Sequence, residues 1–280
     1  MKIRNPFSRR TTSVPSGADS PVSATVTTPT TPIEVTPAAV PFVTGESQKI
    51  TLGSDAVWDT EAHPHLLIAG PQDSGKTTLQ RRVIDHCIQH KDDWLVYGMD
   101  LYRTQFVPYF DYGAPVEHVA RTVSESILDL RSIQDEIRSR LIRMEKHGYK
   151  SYRELSGRLP VIMVVIDESY HVLPAIMTPA ERAAMDKFDV RVEALGILKE
   201  LSSYGSRAGI HISMATRVPE QGITDDLLKN MSCRVVTGVL PGESSKLMLG
   251  NESVSALMAG QGYIQFGKQG KTFTVLNPSE

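Results

Sequence analysis

The stretch Pro64-His65-Leu66-Leu67-Ile68-Ala69-Gly70-Pro71-Gln72-Asp73-Ser74-Gly75-Lys76-Thr77-Thr78 decides how the rest of the chain is to be read. His65 to Ala69 is a short apolar run stopped by Gly70, the pattern of a buried strand entering a turn. From Lys76 to about Gln89 a helix is expected, because Leu79, Val83 and Cys87 recur at i, i+4 and i+8 on one face. Between the two, Gly70 to Thr77 satisfies the spacing GxxxxGK[ST]. Backbone N–H groups of such a turn, at the positive end of a helix dipole, form a fixed cradle for phosphate oxygens. Gly70, Pro71, Gln72, Asp73, Ser74, Gly75, Lys76, Thr77 and Thr78 are therefore the candidate nucleotide-binding set. Lys76 supplies a point charge to the β and γ phosphates of ATP, and the Thr77 hydroxyl is a candidate ligand for Mg²⁺.

Outward from this stretch, short apolar segments alternate with helical ones. Trp94 to Met99 reads as a strand ending at Asp100, and Glu117 to His147 as a long charged helix with apolar residues at spacings of three and four. Val161 to Ile166 is β-branched and unbroken, which suits the centre of a parallel sheet covered on both faces. A helix over about Val190 to Tyr204 leads to a strand from Ile210 to Ala215. This alternation predicts an α/β domain with a mainly parallel sheet flanked by helices.

Two carboxylates, Asp167 and Glu168, follow the Val161 to Ile166 strand, and ligands bind at the C-terminal end of a parallel sheet. Asp167 is expected to hold Mg²⁺, and Glu168 to orient and deprotonate the water that attacks the γ-phosphate. Glu168 thus points to hydrolysis rather than passive binding. Thr216, at the end of the strand after Ile210, is a candidate sensor of the γ-phosphate. His171 and His211 have no partnered ligand pattern and are read as structural histidines. Ser169 lacks the context of a nucleophilic serine. The mixed charges of Arg131 to Lys146 read as a solvated face.

Composition sets the outer limits. The chain has 280 residues, 40% hydrophobic and 22% charged, enough for a sizeable core. Thirty Lys and Arg against 32 Asp and Glu leave a net charge of −2, so any nucleic-acid contact must be local. The longest apolar run is far short of the roughly 20 residues a bilayer span needs, so no membrane span is expected. Cys87 and Cys233 stand far apart with no CxxC pair, which argues against a zinc site or disulfide framework and fits a cytoplasmic protein. Residues 1–42 hold seven of the 17 prolines and 13 Ser or Thr, so residues 1–49 are expected to form a disordered tail and 50–280 the folded domain. Lys2, Arg4, Arg9 and Arg10 open that tail without the apolar stretch of a signal peptide.

Pro64 to Gly70 running into the phosphate turn, Asp167-Glu168 after its strand, and Ser206-Arg207-Ala208-Gly209-Ile210-His211-Ile212-Ser213-Met214-Ala215-Thr216 resemble the FtsK/SpoIIIE DNA translocases of the HerA/FtsK branch of P-loop ATPases. Met99-Asp100, Arg143 to Gly148, Ser244-Ser245-Lys246 and Ala259 to Tyr263 resemble further motifs of that family, so the likeness runs from about Leu52 to Phe266. It implies a RecA-like motor that assembles as a homo-hexamer around double-stranded DNA and hydrolyses ATP at subunit interfaces. An interfacial site implies an arginine acting on the neighbouring subunit. Arg234 matches the family's arginine in that position, with Arg207 as a second candidate. The sequence departs from the family at Asp73, where Gly is usual, at Arg217, where a sensing Gln is usual, and after Ser245, where an Asp-Ser-Arg motif is expected. With neither a membrane portion nor a DNA-reading winged-helix module in view, the resemblance implies a compact translocase of the phage or mobile-element kind. Alternatives are a coupling or packaging ATPase for DNA transfer, a related ATPase module of protein secretion, and a nucleotide-dependent scaffold that does not hydrolyse.

Overall fold

The computed structural model describes residues 45–155, 159–173, 190–250, 254 and 257–275. The expected disordered tail lies outside the described residues up to position 44. Its last positions belong to the folded part, since Ser47 and Gln48 are buried and the Ser47 carbonyl accepts from the indole N–H of Trp94 at 3.1 Å.

A small antiparallel pair, β1 (Lys49–Thr51) and β2 (Val57–Asp59), comes first. Six strands then run parallel: β3 (His65–Ala69), β4 (Trp94–Met99), β5 (Val116–Ala120), β6 (Val161–Ile166), β7 (Ile210–Thr216) and β8 (Cys233–Thr237). An antiparallel edge of β9 (Gln261–Phe266) and β10 (Gln269–Thr274) completes one sheet in the order β10-β9-β8-β3-β7-β6-β4-β5. The described α-helices are α1 (Lys76–Gln89), α2 (Val123–His147), α3 (Val190–Ala208), α4 (Asp225–Asn230) and α5 (Gly242–Leu249). The fold is an α/β one with a mainly parallel sheet flanked by helices, as the alternating pattern predicted.

The sheet's two faces carry separate cores. On one, Ile127, Leu130, Ile133 and Ile137 of α2 and Ala194, Ile197, Leu198 and Leu201 of α3 cover Leu67, Ile162, Val164, Ile212 and Met214. On the other, Leu79, Val83, Ile84 and Cys87 of α1, with Ile50 and Trp58, cover Leu66, Ile68, Met163 and Val165. All six residues of β6 are buried, as a strand sandwiched between helices requires.

One expectation needs correction. The helix expected over Glu117 to His147 begins only at Val123, and Val116 to Ala120 form strand β5 at the sheet's edge. The divide is set by Thr122, whose hydroxyl accepts from the Glu125 N–H at 3.1 Å, while the Glu125 carboxylate accepts from the Arg121 N–H at 2.7 Å. Val119 therefore packs on the α1 side as a strand residue, not on the helix stripe. Most charges of α2 face solvent as expected, with Arg131 and Arg138 paired to Glu193 and Glu200 of α3 at 2.6 and 3.0 Å. Arg140 departs from that reading: it is buried and donates to the Ala208 and Pro160 carbonyls at 2.8 and 3.0 Å.

Chain order and spatial order diverge around β3. From β3 the chain crosses to β4, leaving space that β7 and β6 later fill, and then β8 closes the opposite side of β3. The C-terminal ends of β3, β7 and β6 consequently open side by side into one crevice, the place where open α/β sheets bind ligands.

Candidate nucleotide-binding site

The Gly70 to Thr77 turn leaves the end of β3 and delivers the N-terminus of α1 into this crevice. Gly75 adopts φ +99°, a left-handed conformation that favours glycine, and no side chain caps the helix. The first intrahelical bond is Leu79 N–H to the Gly75 carbonyl at 3.1 Å. The N–H groups of Lys76, Thr77 and Thr78 precede it and have no intrahelical acceptor. With no acidic residue in the first turn, the positive end of the dipole is not offset within the helix. Asp73 has φ +58°, so at the family's usual Gly position the chain keeps a glycine-type backbone with a residue that tolerates it.

Lys76 is 4% exposed, its ammonium donating to the Pro71 carbonyl at 2.8 Å and lying 4.0 Å from Glu168 Oε1. Burial pulls its pKa down, and the carboxylates of Glu168 and Asp167 oppose that pull. The Ser74 hydroxyl also bonds the Pro71 carbonyl, at 2.8 Å, and lies 2.7 Å from Thr237 Oγ1, which pins the turn to the end of β8.

Across the crevice β6 ends at Ile166 and presents Asp167 and Glu168. Gln80 of α1 donates to the Ile166 carbonyl at 2.7 Å, fixing the helix against the end of that strand. Burial, followed by the nearby Glu168 and Asp100 carboxylates, pushes the Asp167 carboxyl up to about 7. Asp167 Oδ1 is buried and makes no hydrogen bond among the described residues. Glu168 stands in a left-handed conformation, φ +44°, directly after the strand. Its Oε1 accepts from Arg217 Nε at 2.9 Å, and a second nitrogen of that guanidinium donates to the Tyr170 hydroxyl.

These groups enclose a cleft of about 500 Å³. Of the residues singled out from sequence, Gln72, Asp73, Ser74, Gly75, Lys76, Thr77, Thr78, Asp167 and Glu168 line it. Gly70 and Pro71 form its supporting turn rather than its wall. Thr216 is fully buried off the cleft: its hydroxyl accepts from the Val218 N–H at 3.1 Å and its carbonyl from the Gly70 N–H at 3.2 Å. It couples β7 to the phosphate turn, while the next residue, Arg217, reaches the cleft. Arg234 does not line the cleft: it donates to the carbonyls of Leu228, Met231 and Met248 at 2.8, 3.1 and 3.0 Å. Its guanidinium closes the ends of α4 and α5 within its own chain. Arg207 is exposed at the end of α3, just ahead of the N-terminal end of β7, whereas the cleft lies beyond that strand's C-terminal end.

The cleft also contains Arg81, Tyr102, Gln105, Gly260 and Val275, which sequence reading did not select. Tyr102 and Gln105 follow β4, and the rule that places ligands beyond parallel strand ends points to them. Asp100 folds that loop by accepting from the Gln105 and Phe106 N–H groups at 2.7 and 2.8 Å. Gly260 and Val275 flank the C-terminal hairpin and arrive through tertiary pairing, their mutual bond Val275 N–H to Gly260 carbonyl being 2.9 Å.

Comparison with known proteins agrees with this geometry. No protein-family model matches the chain. The DNA translocase FtsK of Helicobacter pylori strain J99 is 25% identical over 233 residues, 79% of this chain and 26% of its own length. FtsK of Streptococcus pneumoniae is 24% identical over 235 residues, 78% of this chain and 29% of its own length. The chain is similar in sequence to FtsK DNA translocases. It spans about a quarter of the length of the curated relatives it matches. The ESX-5 secretion system protein EccC5 of Mycobacterium marinum is 28% identical over 195 residues, 62% of this chain and 13% of its own. Among solved structures, the pCW3 conjugation coupling protein TcpA with ATPγS superposes with a TM-score of 0.70 at 19% identity, covering 82% of this chain and 66% of that one. ATPases 2 and 3 of Thermomonospora curvata EccC, solved with a signal sequence peptide, give 0.61 at 16% identity, covering 87% and 43%. These likenesses establish the fold.

Proposed function

We propose that residues 50–280 form an ATP-hydrolysing motor domain that moves double-stranded DNA and works as a homo-hexameric ring. The observation that carries the reading is the shared crevice: Lys76 on one wall and Asp167 and Glu168 on the other, with the ammonium 4.0 Å from the Glu168 carboxylate. A triphosphate held by the free N–H groups of α1 and by Lys76 lies with its terminal phosphate toward Glu168. There Glu168 accepts a proton from water as the water oxygen bonds to the γ-phosphorus and the β–γ bridging bond breaks, leaving ADP and phosphate. Asp167 and Thr77 line the same cleft, and the buried, unpartnered Oδ1 of Asp167 suits a hard cation, so these two residues would hold Mg²⁺. Mg²⁺ would supply Lewis-acid neutralisation of phosphate charge. Among the described residues no helix is long and apolar enough to cross a membrane. A cytoplasmic site of action goes with the proposed substrates, ATP and duplex DNA.

The FtsK relatives support DNA as the moving load. A net charge of −2 is compatible with it, because a ring repeats each small cationic surface around one phosphate backbone. The likeness to EccC5 favours a second reading, an ATPase module that handles a polypeptide. ATP turnover measured with and without duplex DNA separates them. Stimulation by DNA supports the motor, turnover indifferent to DNA supports the secretion module, and absence of turnover removes both in favour of a scaffold. In the same assay Lys76→Ala is expected to lose ATP binding, and Glu168→Gln to bind ATP without turning it over.

A further inference from the structure

We propose that Arg217 is a catalytic residue acting in cis: it binds the terminal phosphate held by its own chain's Lys76, and in doing so releases Glu168 to act on water. The proposal rests on the nucleotide reading of the cleft and assigns the transition-state cation to a residue at the family's usual glutamine position.

Position comes first. Arg217 is the residue after β7, and β7 lies between β3 and β6, so its C-terminal end opens between the Lys76 turn and the Asp167-Glu168 pair. Its side chain is 33% exposed and lines the cleft. The guanidinium is only partly used. Nε bonds Glu168 and Nη2 bonds Tyr170, while Nη1 makes no hydrogen bond among the described residues. The Tyr170 ring lies 5.6 Å from the guanidinium carbon and steadies it from one side.

Charge gives the direction of transfer. Asp73, Asp167 and Glu168 line the cleft against the cations Lys76, Arg81 and Arg217. Arg81 is tied through Nε to the Gln105 carbonyl at 2.8 Å. A terminal phosphate carries more charge than one carboxylate, and a planar guanidinium meets two of its oxygens at once. The phosphate therefore competes successfully for the group that Glu168 holds at 2.9 Å. While paired to Arg217, Glu168 Oε1 is occupied by the guanidinium and is not free to engage the attacking water. Once the pair opens, Glu168 takes the proton of the attacking water, and Arg217 stabilises the charge that gathers on the phosphoryl oxygens as the bridging bond breaks. ADP has no third phosphate and leaves the Arg217–Glu168 pair closed, so the base is armed by ATP alone.

Arg234 does not compete for this role within its chain, since its three bonded nitrogens serve three carbonyls.

The test uses the full chain, with Arg217→Ala and Arg217→Lys beside wild type. Wild type is expected to bind ATP more tightly than ADP. Arg217→Ala should lower kcat about 10²- to 10³-fold, hold ADP affinity within about threefold, and lose the preference for ATP over ADP; Arg217→Lys, which keeps the charge, should recover part of both and serves where the alanine chain does not fold. Mixing Arg217→Ala with Lys76→Ala subunits decides between cis and trans. A trans arginine would restore hydrolysis, because the intact cleft of one chain would receive the intact arginine of the other, whereas a cis arginine leaves every cleft defective. Wild-type kcat and ATP preference in the Arg217 variants, or recovery of turnover in the mixture, overturns the proposal. A wild-type chain that binds ATP without hydrolysing it overturns it too, while one that binds no ATP defeats the nucleotide reading itself.

Discussion

Gly70 is packed so closely under Thr237 that a β-carbon on it would fall 2.3 Å from both the Thr237 carbonyl oxygen and its hydroxyl. The first glycine of the phosphate turn is thus required by the end of β8 as well as by the turn. Gly70→Ala must push the turn away from β8 and break the 2.7 Å contact between Ser74 and Thr237. The expected cost is about 1–3 kcal/mol in unfolding free energy, with ATP affinity reduced at least tenfold although Lys76 is intact. A denaturant titration and a fluorescent-nucleotide titration read the two effects, and wild-type affinity in the variant would show that the turn does not depend on this contact.

Arg234→Ala is expected to act on stability. It leaves the carbonyls of Leu228, Met231 and Met248 without their donor at the ends of α4 and α5, a loss of roughly 2–4 kcal/mol for partly buried groups. Turnover per folded molecule should stay within a fewfold of wild type. The opposite pattern, an unchanged unfolding midpoint with hydrolysis abolished, would mark Arg234 as an arginine acting on a neighbouring subunit.

The strands of the central sheet are legible because their residues are buried on both faces: Leu66 to Ala69 and Val161 to Ile166 leave no polar position to confuse the period. The two segments most characteristic of the family resemblance, Pro64 to Gly70 and Gly209 to Thr216, turn out to be register partners, His65 pairing with Ile212 and Ala69 with Thr216. Strand β5 is hidden in the sequence because Val119 fits the three-and-four spacing of the helix that follows, and the Thr122–Glu125 capping signature marks the boundary between them. In the cleft, residues next to strand ends were within reach of sequence reasoning. Choosing Arg217 over Thr216 was not, because the direction of a side chain past the last strand residue depends on how the chain leaves the sheet. Gly260 falls within the Ala259 to Tyr263 stretch of the resemblance, but no local pattern places it or Val275 at the nucleotide turn, because a hairpin far along the chain brings them there.

Thr122→Ala tests that boundary directly. Removing the hydroxyl that accepts from the Glu125 N–H should cost about 1 kcal/mol, and Thr122→Ser much less, because serine offers the same acceptor. ATP turnover should not change, since Thr122 lies outside the cleft. Equal stability for the alanine and serine variants would mean that tertiary packing alone sets the start of α2.

The acid limb of stability should carry the signature of two histidines at the other end of the sheet. His65 and His211 are 1% and 4% exposed, and burial holds their pKa values down to about 3 and about 4, against an ordinary 6.5. Both are therefore neutral in the fold. His65 Nδ1 accepts from the Ile212 N–H at 3.2 Å, a bond that protonation there would destroy, and His211 Nδ1 donates to the Pro64 carbonyl at 2.7 Å. The unfolded chain protonates both below pH 6.5 while the folded chain resists. Their stabilisation is fully present above pH 6.5 and is lost as pH falls toward the folded values. One such histidine shifted to about 4 accounts for on the order of 2 kcal/mol of stability lost between pH 7 and pH 4.5. Carboxylates add their own acid loss, so the comparison is with His211→Asn, whose amide N–H can replace the bond to Pro64 but does not titrate. Urea midpoints at pH 7 and pH 4.5 should draw together in the variant relative to wild type; parallel pH profiles for the two chains would mean that His211 is not held neutral by its burial.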